Sequence, residues 1–248
     1  SKGVAKLDTL PITWHGNPND GTYVIPVVID GVPIAKFAAR KFRAEVDGAK
    51  RAGLVTGIKN SPAAEALRRL NVKFAVIEPG NTLVQQTEAL DVLIIDRRTL
   101  TLQPEITEMR QELDRFVKRG GHLIVLAQEA AAWNAKPLWE GLELTASSTL
   151  AANTPVQIDP GNVLLAKPNF IAPEDWNEWL FWRGYNQISG SALNAATVPV
   201  RTMPDGLPLV VTATVGNGKR TYVDLALHPQ LMNIHAGAFR LLANLISY

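Results

Sequence analysis

Four short apolar runs constrain the fold of this sequence most. The stretches between them are long enough to return the chain to the same edge of a sheet. The four runs occupy residues 53–58, 74–77, 92–96 and 123–126. Each is apolar nearly throughout rather than at alternate positions, which is typical of a sheet covered on both faces. Strands that alternate with helices are joined by crossovers and run parallel. We therefore expect these four runs to be neighbouring parallel strands of one sheet.

The segments between these runs carry helix signals. A helix is predicted over 61–70, where Ser61 is a suitable N-cap and Pro62 suits the first helical position. A weaker helix is predicted over 83–90. The strongest prediction covers 104–118, which ends at a pair of glycines and has one apolar face formed by Ile106, Met109, Leu113, Phe116 and Val117. We expect this helix to pack on a face of the sheet.

The second half of the chain departs from simple alternation. Residues 129–166 predict loops with short strands, and 173–182 predict a helix. Two β-prone segments, 209–215 and 220–226, flank the turn Gly216-Asn217-Gly218 and predict a hairpin, and 236–246 predict a closing amphipathic helix. The expected fold is therefore a flavodoxin-like α/β layered sheet that is mostly parallel, with antiparallel strands added late.

A different pattern precedes the first apolar run. Residues 22–29 and 33–46 are β-prone and are joined by Asp30-Gly31, which predicts a β-hairpin. Two strands alone are marginally stable in water, so the hairpin needs a further surface to pack on. We interpret residues 1–50 as a linker and hairpin that end a preceding β-sandwich-like domain. Residues 51–248 then form the α/β domain.

The composition excludes several classes of protein. With 46% hydrophobic and 19% charged residues the chain is globular rather than disordered. A net charge of +2 from scattered residues argues against a nucleic-acid partner, and no apolar run approaches the ~20 residues of a membrane span. The sequence has no cysteine and its histidines are isolated, so we expect no metal site and no cofactor. The chain starts at Ser1, and we interpret it as a piece of a larger exported or periplasmic protein.

One motif at the end of the last predicted strand suggests descent. The residues Tyr222-Val223-Asp224-Leu225-Ala226-Leu227-His228-Pro229-Gln230 resemble the class I glutamine amidotransferase-like superfamily, in which a strand ends in His-Pro-Glu and the glutamate orients the histidine. The cysteine nucleophile of that superfamily follows a central strand and maps onto Ala127 or Gln128. Neither residue can attack a substrate, and Gln230 replaces the orienting carboxylate. We therefore interpret Gln128, His228 and Gln230 as degenerate catalytic positions, and expect His228 to lie near Gln128 at the carboxyl edge of the sheet.

A second resemblance covers roughly the last 80 residues. It rests on Pro168-Asn169-Phe170-Ile171, Asp175-Trp176, Trp179, Arg183-Gly184-Tyr185, the stretch 216–222 and the stretch 237–246. These look like the C-terminal amidotransferase-like domain of large bacterial PIG-L family deacetylases. The resemblance implies an upstream zinc-dependent deacetylase domain, followed by β-sandwich domains. The metal motif of the deacetylase itself has no counterpart in this sequence, so no deacetylase activity is expected of it.

Several residues are candidates for binding. Asp96 and Arg97 follow a predicted strand at the edge where open α/β sheets bind ligands. Trp133 and Trp139 lie in the loop after the 123–126 strand, and Arg183 is a further candidate. The set Trp176, Trp179 and Trp182 recurs every three residues, which on a helix gives either a core stripe or a sugar-stacking platform, and we favour the core.

Two functions remain open from sequence. The first is a non-catalytic accessory domain of an exported bacterial protein, which contacts other domains of the same polypeptide, forms a homo-oligomer or contacts glycan. The alternative is a hydrolase-type enzyme that uses the His228 edge on a carbohydrate or amide substrate. The absence of a nucleophile at 127–128 favours the accessory domain.

Overall fold

A computed structural model describes residues 19–80, 83–148, 150–151, 153–183 and 186–248. The chain divides into two compact units, one that ends at Arg43 and one that comprises Ala44–Tyr248.

The first unit contains the predicted hairpin. Strands β1 (Gly21–Ile29) and β2 (Val32–Lys41) pair antiparallel. Asp30 and Gly31 form the turn with φ of 50° and 79°, and positive φ at both central residues is the geometry of the turn that matches the twist of paired strands. The hairpin is thus confirmed, but its second strand stops at Lys41, and residues 42–46, which were expected to continue it, are not in a strand.

The second unit begins with alternating strands and helices. In chain order these are β3 (Ala52–Val55), α1 (Pro62–Arg69), β4 (Phe74–Val76), α2 (Leu83–Thr87), β5 (Val92–Ile95), α3 (Thr99–Leu102), α4 (Arg110–Lys118) and β6 (His122–Leu126). Helix α1 is capped as expected, because the Ser61 hydroxyl accepts from the Ala64 N–H at 3.1 Å. A 3-10 helix over Pro104–Met109 precedes α4, so the predicted 104–118 helix is α-helical only in its second half.

The rest of the unit is more irregular. It comprises α5 (Ala130–Ala135), β7 (Glu143–Ala146), β8 (Leu150–Ala151), β9 (Val156–Ile158), α6 (Val163–Ala166), β10 (Phe181–Arg183), β11 (Asn186–Ser189), β12 (Thr197–Thr202), β13 (Pro208–Val215), β14 (Gly218–Val223), α7 (Leu227–Met232) and α8 (Ala236–Ser247). Further 3-10 helices cover Pro173–Trp176 and Ser191–Ala195. Strand β7 pairs with β11 and β8 pairs with β10 in two small antiparallel sheets.

One eight-stranded sheet organises this unit, in the order β4-β3-β5-β6-β14-β13-β12-β9. The strands from β4 to β14 are parallel neighbours, and those from β14 to β9 are antiparallel. The four predicted parallel strands are therefore adjacent as expected, and the flavodoxin-like layered architecture with late antiparallel strands is confirmed. Leu113 and Phe116 of α4 share a buried cluster with Leu93 and Leu123, which places this helix on one face of the sheet.

The predicted helix over 173–182 was wrong. A 3-10 turn ends at Trp176, Asn177 is extended, Glu178 has a φ of 61° and Phe181–Arg183 forms β10. The left-handed backbone at Glu178 ends any helix, because a helix needs negative φ at every residue. The three tryptophans of this segment therefore do not form a helical stripe.

Candidate functional site

The carboxyl ends of three adjacent parallel strands bring together the polar residues that follow them. Asp96 follows β5, Ala127 and Gln128 follow β6, and Asp224 follows β14. Ligands of open α/β sheets bind in the crevice outside the carboxyl ends of the strands, which is this edge.

A cavity of about 400 Å³ opens at this edge, and we call it the edge pocket. A second, narrow cavity of about 10 Å³ shares three lining residues with it and has room for about one water molecule; we call this cavity the extension. Arg97, His228 and Leu231 line both parts. The other residues of the edge pocket are Ile58, Asn60, Pro62, Glu65, Arg69, Met232 and Ile234. Those of the extension are Ala63, Asp96, Leu126, Ala127, Leu225 and Leu227.

Asp96 lines the extension and is buried. One carboxylate oxygen accepts from the Thr56 hydroxyl at 2.8 Å, and the other accepts from the Arg97 N–H at 2.7 Å. Burial raises the pKa of Asp96, and these hydrogen bonds partly oppose that rise. The group therefore holds a proton at a higher pH than an exposed aspartate does.

His228 belongs to the first turn of α7 and is half-buried. It shares the extension with Leu126 and Ala127, so it lies at the carboxyl edge beside the end of β6, where the sequence predicted it. Burial, and secondarily the Arg97 guanidinium nearby, lower the pKa of His228 to about 4. The imidazole is therefore neutral at pH 7.

Gln128 occupies the position of the nucleophile in the amidotransferase-like mapping, but its side chain is fully buried. Its Oε1 accepts from the Leu100 N–H at 3.0 Å, and its Nε2 donates to the carbonyls of Asp96, at 2.7 Å, and of Leu126. The amide joins the ends of β5 and β6 to the start of α3. Its chemical role here is structural.

Gln230, expected beside His228, is also buried, on α7. Its Oε1 accepts from the Leu180 N–H at 3.4 Å, and its Nε2 donates to the Phe181 carbonyl at 3.5 Å. The side chain thus fastens α7 to the segment before β10.

Sequence reasoning missed a polar cluster behind Gln128. The Tyr222 hydroxyl accepts from the Gln128 N–H at 3.0 Å, and Asn186 Nδ2 donates to the Gln128 carbonyl at 2.6 Å and to Asp224 Oδ1 at 3.2 Å. Burial, together with the Asp224 carboxylate, raises the pKa of Tyr222 well above its usual range. The sequence gives no signal that Asn186 lies at this edge, because Asn186 belongs to β11, which pairs with β7 in a separate antiparallel sheet.

The tryptophan candidates lie in the protein interior. Trp133 is fully buried, donates from Nε1 to the Leu142 carbonyl at 2.7 Å and packs edge-on against Tyr222. Trp139 belongs to the same buried cluster. Neither ring is exposed for stacking on a glycan, so the expected binding role of these two residues is corrected to core packing.

The other three indoles also pack together. Trp176, Trp179 and Trp182 have ring centroids 5.3 to 5.9 Å apart and are buried. The core interpretation that we favoured therefore holds, although the residues reach it from a turn and a strand rather than from one helix. The side chain of Arg183, the remaining binding candidate, lies outside the described residues.

The described residues include neither a metal-binding cluster nor a helix that could span a membrane. No group of three or more His, Cys, Asp or Glu side chains among them is arranged to hold a metal ion. Within the same part of the chain, no helix has the length and apolar character needed to cross a membrane.

No protein-family model and no curated protein sequence matches the chain. Solved structures do. Cytoplasmic Protein STM3548 from Salmonella typhimurium matches with a TM-score of 0.52 and 16% identity, over 90% of this chain and 94% of its own. Cytoplasmic Protein STM1381 from Salmonella typhimurium LT2 matches with a TM-score of 0.50 and 17% identity, over 92% and 95%. At these identities the likeness concerns the fold alone.

A beta-galactosidase from Rahnella sp. R3 matches over 81% of this chain with 16% identity and a TM-score of 0.49. The chain spans only 31% of the length of that enzyme. A likeness at this level carries no functional argument.

Proposed function

We propose that this chain is a non-catalytic accessory domain with an amidotransferase-like fold. The observation that carries the proposal is the side chain of Gln128, which is fully buried and hydrogen-bonded to backbone at both ends of its amide. A nucleophile has to present its attacking atom to a substrate, and an amide is neither nucleophile nor base at neutral pH. The position that would drive catalysis in an active relative serves here to hold the sheet edge.

The surroundings of His228 support the same proposal. Among the described residues that line the edge pocket and its extension there is no serine, threonine, cysteine or lysine. Gln230 is an uncharged amide bonded to the backbone of residues 180 and 181, so it cannot supply the carboxylate that would stabilise a charged imidazole. General acid–base help from a histidine contributes only ~10²–10⁴-fold, which is too little for amide hydrolysis without a nucleophile or an oxyanion site.

The parent that we propose is a large exported bacterial protein that resembles PIG-L deacetylases, or a carbohydrate-processing relative. The domain would contribute packing against other domains, homo-oligomerisation or glycan contact. The hairpin supports a β-sheet neighbour, since Val24 is 66% and Val32 60% exposed and two strands are marginally stable alone. The complete gene product tests this: a metal-hydrolase domain upstream is expected, and a gene product without any further domain would contradict it.

An activity assay tests the lack of catalysis. We expect no turnover when the purified chain is incubated with glutamine or with N-acetylated sugars, with or without added zinc. His228→Ala serves as the matched variant and is expected to behave like the unchanged chain. Turnover that follows the protein through purification and disappears in His228→Ala would contradict the accessory role.

One observation favours the alternative, a hydrolase at the same edge. Asp96 and His228 line the same narrow extension. Burial raises the pKa of the Asp96 carboxyl and lowers the pKa of the His228 imidazole, so the two pKa values move toward each other. Such a pair is typical of acid–base sites. Under this alternative both Asp96→Asn and His228→Ala abolish a turnover that the unchanged chain shows. Under the accessory proposal the unchanged chain shows no turnover, so neither variant has an activity to abolish.

A further inference from the structure

We propose that the edge pocket binds an uncharged alcohol, with its hydroxyl group at His228 and its apolar body against Ile58, Leu231 and Ile234. The inference concerns binding rather than turnover, so it goes beyond the accessory role and does not depend on it.

The size and lining of the edge pocket suit a small molecule with a largely apolar body. Its volume of about 400 Å³ lies within the range of small-molecule sites, ~300–1,000 Å³. The apolar side chains that line it are Ile58, Pro62, Leu231, Met232 and Ile234. Removal of an apolar ligand surface from water against this wall favours binding.

The charged groups at the edge pocket are matched by charges of opposite sign. Glu65 pairs with Arg69 at 2.9 Å and with Arg68 at 3.4 Å. Asp96 accepts from the Arg97 N–H at 2.7 Å, and the positive charge of Arg97 partly opposes the rise in the pKa of Asp96 that burial causes. A charged ligand would lose its hydration here and would compete with these existing pairs for a counter-charge. The charge balance therefore disfavours both anions and cations, and it favours an uncharged ligand.

His228 offers a polar contact for such a ligand. Its half-buried side chain lines both the edge pocket and the extension, and no described residue hydrogen-bonds to its imidazole. Burial is the main reason that the pKa of His228 is lowered to about 4, so at pH 7 the ring has one donor nitrogen and one acceptor nitrogen. A hydroxyl group both donates and accepts, so it can bond to either nitrogen, whichever carries the proton.

Backbone strain adjoins the same wall. Asn60 and Ile234, which line the edge pocket, have φ of 54° and 52°. Positive φ is unusual for any residue with a side chain and is least favourable for a β-branched one such as Ile234. Strain of this kind persists only where the surrounding structure enforces it, and it is concentrated at functional sites such as ligand clamps. The backbone at Ile234 therefore supports a ligand site here.

Titrations monitored by two-dimensional amide NMR test the proposal on the whole chain at pH 7. The probes share a six-carbon chain and differ in charge: hexan-1-ol is neutral, hexanoate is negative and hexylamine is positive. We expect hexan-1-ol to shift amides of residues 58–65, 97–98 and 228–234, and to bind at least about tenfold more tightly than either ion. Equal or tighter binding of an ion, or hexan-1-ol shifts confined to other regions, would overturn the proposal.

Variants at His228 test the hydroxyl contact. His228→Leu keeps an apolar side chain of similar size and removes both ring nitrogens, so it should weaken hexan-1-ol binding about three- to tenfold, the loss of one hydrogen bond. His228→Gln keeps a donor and an acceptor, and it should retain the affinity of the unchanged chain within about twofold. Unchanged affinity in His228→Leu would contradict the contact.

A second pair of variants tests the apolar wall and serves if His228→Leu does not fold. Ile58→Trp places a larger side chain in the edge pocket and should weaken hexan-1-ol binding about tenfold or more. The matched control is Val163→Trp, at an exposed position that does not line the edge pocket, and it should leave the affinity unchanged. Equal affinities in the two tryptophan variants would place the binding site elsewhere and overturn the proposal.

Discussion

At the scale of single residues, buried side-chain amides hold the carboxyl edge together. Gln128 binds the backbone of Leu100 and Asp96, and Asn186 binds the backbone of Gln128. A buried backbone N–H without a partner costs about 1–3 kcal/mol, and the Gln128 amide supplies the partner of the Leu100 N–H. The sequence predicted Gln128 as a degenerate position but not this role, because the role depends on which strand ends the fold brings beside it.

A buried histidine makes the stability of the chain depend on pH. Burial and the positive charge of Lys219 lower the pKa of His122 to about 3, and its Nε2 contacts the Thr221 hydroxyl at 2.8 Å. In the unfolded state the pKa of this histidine is about 6.5. Between that pH and the folded pKa, the unfolded state binds a proton that the folded state does not bind. The free energy of unfolding should therefore fall as the pH drops, by about 2 kcal/mol from this group between pH 7 and pH 5.

Urea unfolding at pH 7 and pH 5 measures the effect of this group. In His122→Gln the loss between the two pH values should shrink by about 2 kcal/mol, whatever the variant does to stability at pH 7. His228→Gln should also shrink the loss, by up to about the same amount, because the folded pKa of His228, about 4, likewise lies below pH 5. The same loss in His122→Gln as in the unchanged chain would contradict the assignment.

At the scale of elements, the segment from Pro173 to Arg183 shows how close packing replaces a predicted helix. Tryptophans at every third position are typical of a helical stripe, yet the chain turns at Glu178 and stacks the same three indoles into one cluster. The 3-10 turn at its start lies against α8, where the His235 imidazole accepts from the Ala238 N–H and also contacts the Asn177 carbonyl at 2.6 Å. Burial of three large rings outweighs local helix propensity, which sums to only a few kcal/mol over such a segment.

A single glycine allows this contact. A Cβ on Gly237 of α8 would lie 2.0 Å from the Asp175 carbonyl oxygen, which is backbone and cannot move alone. Alanine is about 1 kcal/mol better than glycine inside a helix, so local propensity predicts that Gly237→Ala stabilises. We expect the opposite, a loss of about 1–3 kcal/mol in the free energy of unfolding.

The control for this substitution is Gly48→Ala, where a Cβ would meet nothing within 4 Å. That variant should change the free energy of unfolding by no more than about 0.5 kcal/mol. Thermal and urea unfolding of both variants side by side give the comparison, and a more stable Gly237→Ala would show that α8 does not approach the turn so closely.

At the scale of the whole molecule, the parallel half of the sheet follows from the sequence and the antiparallel half follows only in part. The apolar runs of β3, β5 and β6 are recognisable in the sequence because each strand is buried throughout, whereas β4, at the edge of the sheet, is partly exposed. The order of strands beyond β6 depends on the pairing of β14 with β6, two strands far apart in the sequence. No local sequence pattern predicts that pairing. The sequence predicted that Asp96, Arg97 and His228 lie at the carboxyl edge, but the walls of the edge pocket from residues 58–65 and 231–234 come together only in three dimensions.

The division of the chain at Arg43 predicts that the larger unit folds without the smaller one. All eight strands of the main sheet lie within Ala44–Tyr248. A fragment of residues 44–248 should therefore give a dispersed amide NMR spectrum and unfold in one cooperative transition. A fragment that stays unfolded would show that the hairpin is needed for the fold.

The position of β14 at the centre of the sheet has a consequence for synthesis of the protein. Roughly 90 residues separate the end of β6 from the start of β14, so β6 presents an open edge while that stretch is being translated. At ~5–20 residues per second the interval lasts on the order of 5–20 s, far longer than hydrophobic collapse requires. During that interval the nascent chain carries an apolar strand, β6, that has no neighbouring strand on one side. The chain is then most prone to aggregation and most in need of a chaperone.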